Sequence, residues 1–148
     1  MTPRQKFVEH ALSRLGSVVL WGQRGPQCFD CSGLVAHCLY GAGGVDLRKT
    51  HNAQMMANET PNLLAASTPP APGDLVFYGA DGTHVIHVAI WLAGGKVLSA
   101  DGATSRVLLL SQAKKDPGAR VRIHDSSGFR RDWMGIHRNS YLDELVSR

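Results

Sequence analysis

The chain of 148 residues has only three cysteines, an odd number, and its first residues hold no charged segment followed by an apolar run. Those absences argue against a secreted scaffold stapled by disulfides and predict reduced thiols, with synthesis in the cytoplasm without a signal peptide. No stretch approaches the roughly 18 uninterrupted apolar residues that a membrane span needs. The best, Val85 to Ala93, has a histidine inside it, so no membrane span is expected. Internal repeats and domain-separating linkers are also missing, and a length of 148 with 43% apolar residues fits one domain over residues 1–148. Nor is charge strongly one-sided: a net +4 suits a polyanionic partner such as nucleic acid, anionic lipid or a cell wall bearing carboxylates and phosphates. The basic residues are scattered, with short clusters only at Lys114-Lys115 and Arg130-Arg131, so nucleic-acid binding is not expected.

What the chain does have begins with helices. Thr2 as N-cap, Pro3 at the first position, apolar Phe7, Val8, Ala11, Leu12 and Leu15 at helical spacing, and Gly16 as a stop predict a first helix. A Gly- and Gln-rich loop leads into a second helix opening at Cys31 and ended by Gly41, Gly43 and Gly44. Thr50 is read as the cap of a third, short helix through Met55 and Met56, whose methionines are packing residues. After a proline-rich turn, residues 67–73, the pattern turns to strands at Asp74–Tyr78, Val85–Leu92, Lys96–Asp101, Arg106–Leu110, Arg120–His124 and Gly135–Arg138. Helices followed by strands predict an α+β fold, with helices packed on one side of an antiparallel sheet.

Phe29-Asp30-Cys31-Ser32-Gly33, continued by Leu34, Val35, Cys38 and Leu39, places a sulfur at the amino end of a helix. There the free amide groups and the helix dipole favour thiolate, which makes Cys31 a candidate nucleophile with a lowered pKa. A cysteine nucleophile needs a base, and seven histidines compete. His10 and His37 sit beside apolar helix positions, His51 follows a cap, and His124 and His137 have no motif around them. His87 differs by interrupting the otherwise apolar strand Val85-Ile86-His87-Val88-Ala89-Ile90-Trp91-Leu92, where alternation puts it on one face with Val85, Ala89 and Trp91.

The chain resembles the NlpC family of papain-like cell-wall cysteine peptidases. The matching pieces come in the family's order: Leu20-Trp21-Gly22, Phe29 through Val35, Arg48 with Gln54, Pro72 through Tyr78, His87-Val88-Ala89-Ile90, and Gly135-Ile136-His137-Arg138. The resemblance implies a papain-like fold, Cys31 as nucleophile and His87 as general base. It also implies hydrolysis of an amide in the peptidoglycan stem peptide next to γ-D-glutamyl, through an acyl-enzyme and without cofactor or metal. N-acetylmuramoyl-L-alanine amidase, or another papain-like hydrolase or acyltransferase, is the neighbouring possibility. Asp30 is read as helix cap and, with Ser32, as a contact for the substrate's amine. Delivery to the bacterial wall by other machinery, as for a phage lysin, tail enzyme or injected effector, completes the expectation.

Two positions depart from the family. Its third polar residue, usually histidine, lies twelve positions past the base, where Ser99 stands here. Its frequent tyrosine twelve before the nucleophile is Val19, so Trp21 is the candidate wall of that subsite. A two-residue turn at Gly94-Gly95 would turn Ser99 away from His87. A three-residue loop including Ala93 would place Asp101 opposite His87 and Ser99 diagonally, on the same face. Ser99 and Asp101 therefore both stand as candidate orienting groups.

Three rival readings remain. Cys28 and Cys31 with His84 and His87 could spell a Cys2His2 zinc site, although residues three apart on a strand point to opposite faces. The Cys28–Cys31 pair could serve redox chemistry or switch the nucleophile off as a disulfide. The altered partners at positions 19 and 99 leave open a catalytically inactive wall-binding module.

Overall fold

The computed structural model describes residues 1–20, 22–23, 25, 28–63, 67–81, 83–102 and 109–143. Helix α1, Pro3–Leu12, opens with a capping box: Thr2 Oγ1 accepts from the Gln5 N–H at 3.1 Å, and Gln5 Oε1 accepts from the Thr2 N–H at 2.8 Å. Phe7 and Ala11 are fully buried, but Leu12 and Leu15 face solvent. Leu12 is the last residue of the helix, and Leu15 lies beyond it in the turn that reaches Gly16, at φ +83°, so the predicted stripe does not continue into the core.

A two-residue parallel pair, β1 (Val18–Val19) with β2 (Cys28–Phe29), leads into α2, Cys31–Gly41. Asp30 caps that helix by accepting from the Gly33 N–H. Helix α3, Ala53–Glu59, is capped by Asn52 Oδ1 on the Met55 N–H rather than by Thr50, whose hydroxyl instead meets His51 Nδ1 at 2.7 Å. Asn52 wins because its side chain sits one residue before the first helical turn. Met56 is packed into the core, and Met55 is exposed.

The strands are β3 (Leu75–Ala80), β4 (His84–Trp91), β5 (Val97–Ala100), β6 (Val121–His124) and β7 (Trp133–His137), antiparallel in the order β6-β5-β4-β3-β7. The predicted strand at Arg106–Leu110 lies outside the described residues over 106–108, and Leu110 opens a short helix, α4, Leu110–Lys115. One sheet face packs with the helices around Phe7, Phe29, Leu34, Leu39, Met56, Leu75, Phe77, Val88, Ile90 and Leu98. The other carries Val76, Tyr78, Ala89 and Val97 beneath Phe129 and Trp91. This is the α+β, papain-like arrangement expected, with helices on one side of the sheet.

Two irregularities shape the site. Tyr78 pairs with His87 and Gly79 with Val85, so Ile86 is an extra residue on β4, a bulge. The bulge breaks the predicted alternation. Val85 joins the helix-side core, while Ala89 and Trp91 stay on the far face with Tyr78. A Cβ at Gly79 would lie 1.7 Å from the His84 carbonyl oxygen, so this close approach demands glycine. The β4–β5 loop is the three-residue alternative, Ala93–Gly95, with Leu92 N–H bonded to Lys96 O and Trp91 paired with Val97. Continued along the strands, that register sets Asp101 opposite His87.

Asp74, expected as the first residue of a strand, instead lies just before β3 with its side chain fully buried. Its carboxylate accepts from Arg4 and Arg138, each at 2.9 Å, and from the Ala71 and Asn139 backbone N–H groups. It ties the first helix, the proline-rich turn and the end of β7 to the sheet.

Candidate active site

A cleft of about 800 Å³ opens where the start of α2 meets the bulged end of β4. Cys31, Asp30 and Ser32 line it from the helix, Ile86 and His87 from the strand, and Asp101 and Arg130 from the far wall. The helix cap fixes the first side. Asp30 Oδ1 takes the Gly33 N–H and Oδ2 the Gly22 N–H at 3.1 Å, so one carboxylate anchors both the helix start and the preceding loop. The Ser32 hydroxyl lies 3.4 Å from Asp30 Oδ1.

Cys31 is partly exposed at the cleft wall, close enough to β4 for the Val88 N–H, next to His87, to act on its sulfur. Burial pushes this thiol up to about 11, helped by the nearby Asp30 charge and opposed by the Val88 and Ser32 N–H groups. The lowered pKa expected from the helix terminus is therefore not what the structure has. Desolvation outweighs the terminal N–H groups. His87, 6% exposed, is pushed down to about 4, by burial first and then by the Arg130 charge. Neutral thiol and neutral imidazole thus coexist at neutral pH.

The two candidate orienting groups stand in series. Ser99 Oγ is 2.7 Å from His87 Nε2, and the Ser99 hydroxyl donates to Asp101 Oδ1 at 2.6 Å. Ser99 is completely buried and Asp101 half-buried. The contact is made through Nε2. Behind Asp101, His124 Nε2 meets Oδ2, and the His124 ring is stacked on Phe129 with centroids 3.7 Å apart. Arg122 Nε approaches the same oxygen at 3.5 Å.

His124 and Arg130 were missed because neither lies in a motif. His124 reaches the site because β6 pairs with β5, the strand of Ser99, through Val97–His124, a pairing that no local stretch of sequence shows. Arg130 grips Asp132 through two bonds of 3.0 and 2.8 Å and reaches over the Tyr78 ring at 5.4 Å. Gln54, from α3, accepts the Val85 N–H at 2.8 Å and steadies the strand below the bulge.

Other predicted residues lie elsewhere. Val19 is packed in the core, Trp21 lies outside the described residues, and Arg48 is engaged with Asp46 and stacked over Tyr40. Of the zinc reading, His84 is exposed at the start of β4 while His87 is buried on Ser99. Among the described residues no three histidine, cysteine or acidic side chains converge as a metal site. None of their helices is long and apolar enough to cross a membrane.

The model of the NlpC/P60 family matches residues 16–138. The probable endopeptidase p60 of Listeria seeligeri is 31% identical over 94 residues, which is 64% of this chain and 17% of that protein. The chain thus spans under a fifth of that relative's length. Among solved structures, the NlpC/p60 domain of the peptidoglycan hydrolase SagA aligns with a TM-score of 0.64 at 23% identity, covering 92% of this chain and 97% of that one. RipD from Mycobacterium tuberculosis, described as a non-catalytic NlpC/p60 domain protein adapted to peptidoglycan binding, aligns at 0.67 and 20% identity over 94% and 98%. At these identities the two structures speak for the fold.

Proposed function

The chain belongs to the NlpC/P60 family, and on that premise we propose that it is a thiol hydrolase cleaving an amide bond in the stem peptide of peptidoglycan, next to γ-D-glutamyl. The observation that carries this reading is the meeting in one cleft of Cys31, at the start of α2, with His87, whose Nε2 is engaged by Ser99. Ser99 gives its single proton to Asp101, so it accepts the Nε2 proton of neutral His87 and leaves Nδ1 as the basic nitrogen. Nδ1 takes the Cys31 proton as the sulfur attacks the substrate carbonyl. The resulting imidazolium protonates the leaving amine, and a thioester remains. Water, deprotonated by Nδ1, then attacks that thioester; the acid departs and the thiol is restored. The Cys31 backbone N–H, at the open helix end, is a donor for the oxyanion.

A neutral resting pair suits this route. At neutral pH His87 is unprotonated and available, and the thiol loses its proton only as the reaction proceeds. Asp30, committed to two backbone N–H groups, places negative charge beside Ser32 where a substrate's free amine would sit. The site of action proposed is the bacterial cell wall.

Digestion of peptidoglycan of known chemistry, followed by mass spectrometry, tests the assignment. Muropeptides newly ending in free D-glutamate support it, and lactyl-terminated glycan would replace it with an amidase. Absence of any cleavage, with Cys31 inert to a small thiol-directed electrophile, would favour a wall-binding module instead.

A further inference from the structure

A histidine base on a cysteine is useful in one tautomer only, and the choice here does not rest with the residue that touches it. The Ser99 hydroxyl can donate or accept with equal ease, so by itself it cannot fix which nitrogen of His87 carries the proton. Its one proton is claimed by Asp101 Oδ1 at 2.6 Å, and the hydroxyl is fully buried. Only then must Ser99 Oγ accept from His87 Nε2 at 2.7 Å. The direction of the whole chain is set at its far end. There Asp101 Oδ2 is held by His124 Nε2, itself clamped on the Phe129 ring, with Arg122 Nε 3.5 Å away. The His124 contact holds the carboxylate in place.

We propose that Asp101, anchored by His124, is a positioning residue that locks His87 in the Nε2–H tautomer through the intervening Ser99 hydroxyl. This rests on the reading of His87 as the base, but the tautomer is a property of the resting protein and is measured without substrate. An aspartate at this distance supplies what a serine at the third position lacks, a fixed negative charge that dictates polarity along two hydrogen bonds. Asparagine of the same shape reverses it. Its amide N–H donates to Ser99, the Ser99 hydroxyl turns to donate to His87 Nε2, and the imidazole proton moves to Nδ1, where it blocks the thiol.

The test is long-range proton–nitrogen correlation NMR on protein carrying ¹⁵N-labelled histidine at pH 7, with the His87 signals assigned by their loss in His87→Gln. The wild-type ring should show the Nε2–H pattern, and Asp101→Asn the Nδ1–H pattern, with kcat/KM on peptidoglycan falling on the order of 100-fold. Asp101→Ala, which frees Ser99 to donate, should populate Nδ1–H as well and covers the case in which the asparagine variant fails to fold. In a Ser99→Ala background, Asp101→Asn should leave the His87 pattern unchanged. Retention of the Nε2–H pattern in folded Asp101→Asn or Asp101→Ala overturns the proposal, even if activity falls. A tautomer change in a protein that cleaves nothing upholds the lock while defeating the hydrolase assignment.

Discussion

Two carboxylates flank the middle of the same sheet, Asp74 just before β3 and Asp101 just after β5, and their partners differ in kind. Asp74 is enclosed by two guanidinium groups and two backbone N–H groups, none of which gives up or reorients a proton at working pH. Asp101 is met by a hydroxyl and an imidazole, with a more distant guanidinium, and its side chain keeps 18% of its surface open. Fixed donors make a joint that holds chain segments together. Donors that can reverse make a path along which a proton's position is communicated, and Asp101 has that kind at the cleft.

The sharpest way to break the contrast is Asp74→Ala. It leaves Arg4 and Arg138 without a counter-charge beside a buried site, and should cost about 3 kcal/mol of stability by denaturant unfolding, taking activity down with the fold. Asp101→Asn should do the opposite, cutting turnover while changing the unfolding free energy by under about 1 kcal/mol. Equal loss of stability at both positions would erase the distinction.

Next in size is the titration of the cleft pair. Folded His87 holds its proton only below about 4 against an ordinary 6.5, so the unfolded chain binds more protons between those values. Stability is lost as pH falls from 6.5 toward 4, an effect to which the partly buried His37 and His137 also contribute. Cys31 runs the other way: raised from 9.0 to about 11, it favours the folded state below 9 and loses that contribution as pH climbs toward 11. Melting temperature against pH should therefore show a plateau between about 6.5 and 9, with His87→Gln making the acid arm shallower and Cys31→Ala the alkaline one, to which buried Cys38, pushed up to about 12, also contributes. Acid and alkaline arms unchanged in those variants would contradict the pairing of neutral groups.

The effect simplest to read is alkylation of Cys31 by iodoacetamide. Its rate should rise about tenfold per pH unit from 7 toward 10, following the thiolate fraction of a thiol near 11, whereas a plateau below pH 8 would indicate a standing thiolate.

Much of this site was legible in the chain. Asp30 before Cys31, followed by an apolar stripe, announced a capped helix with sulfur at its mouth, and His87 announced itself by interrupting an apolar strand. The glycines after Ala93 carried the register that brings Ser99 and Asp101 to one face. What escaped depended on groups distant in sequence. The bulge at Ile86 is written in Gly79 on the opposite strand, whose missing side chain admits the His84 carbonyl. His124 becomes Asp101's anchor only through β6 and the Phe129 ring. The direction of the Cys31 shift turned on burial, which no local window of residues contains, against a helix terminus that any window shows.

One comparison bears on the nucleophile more directly than any other: release of new amino groups from purified peptidoglycan by wild-type protein and by folded Cys31→Ala. The wild type should cleave and the variant fall to background. Cleavage by Cys31→Ala at a rate close to wild type would contradict the assignment of the sulfur, and the chemistry built on it would have to be given up.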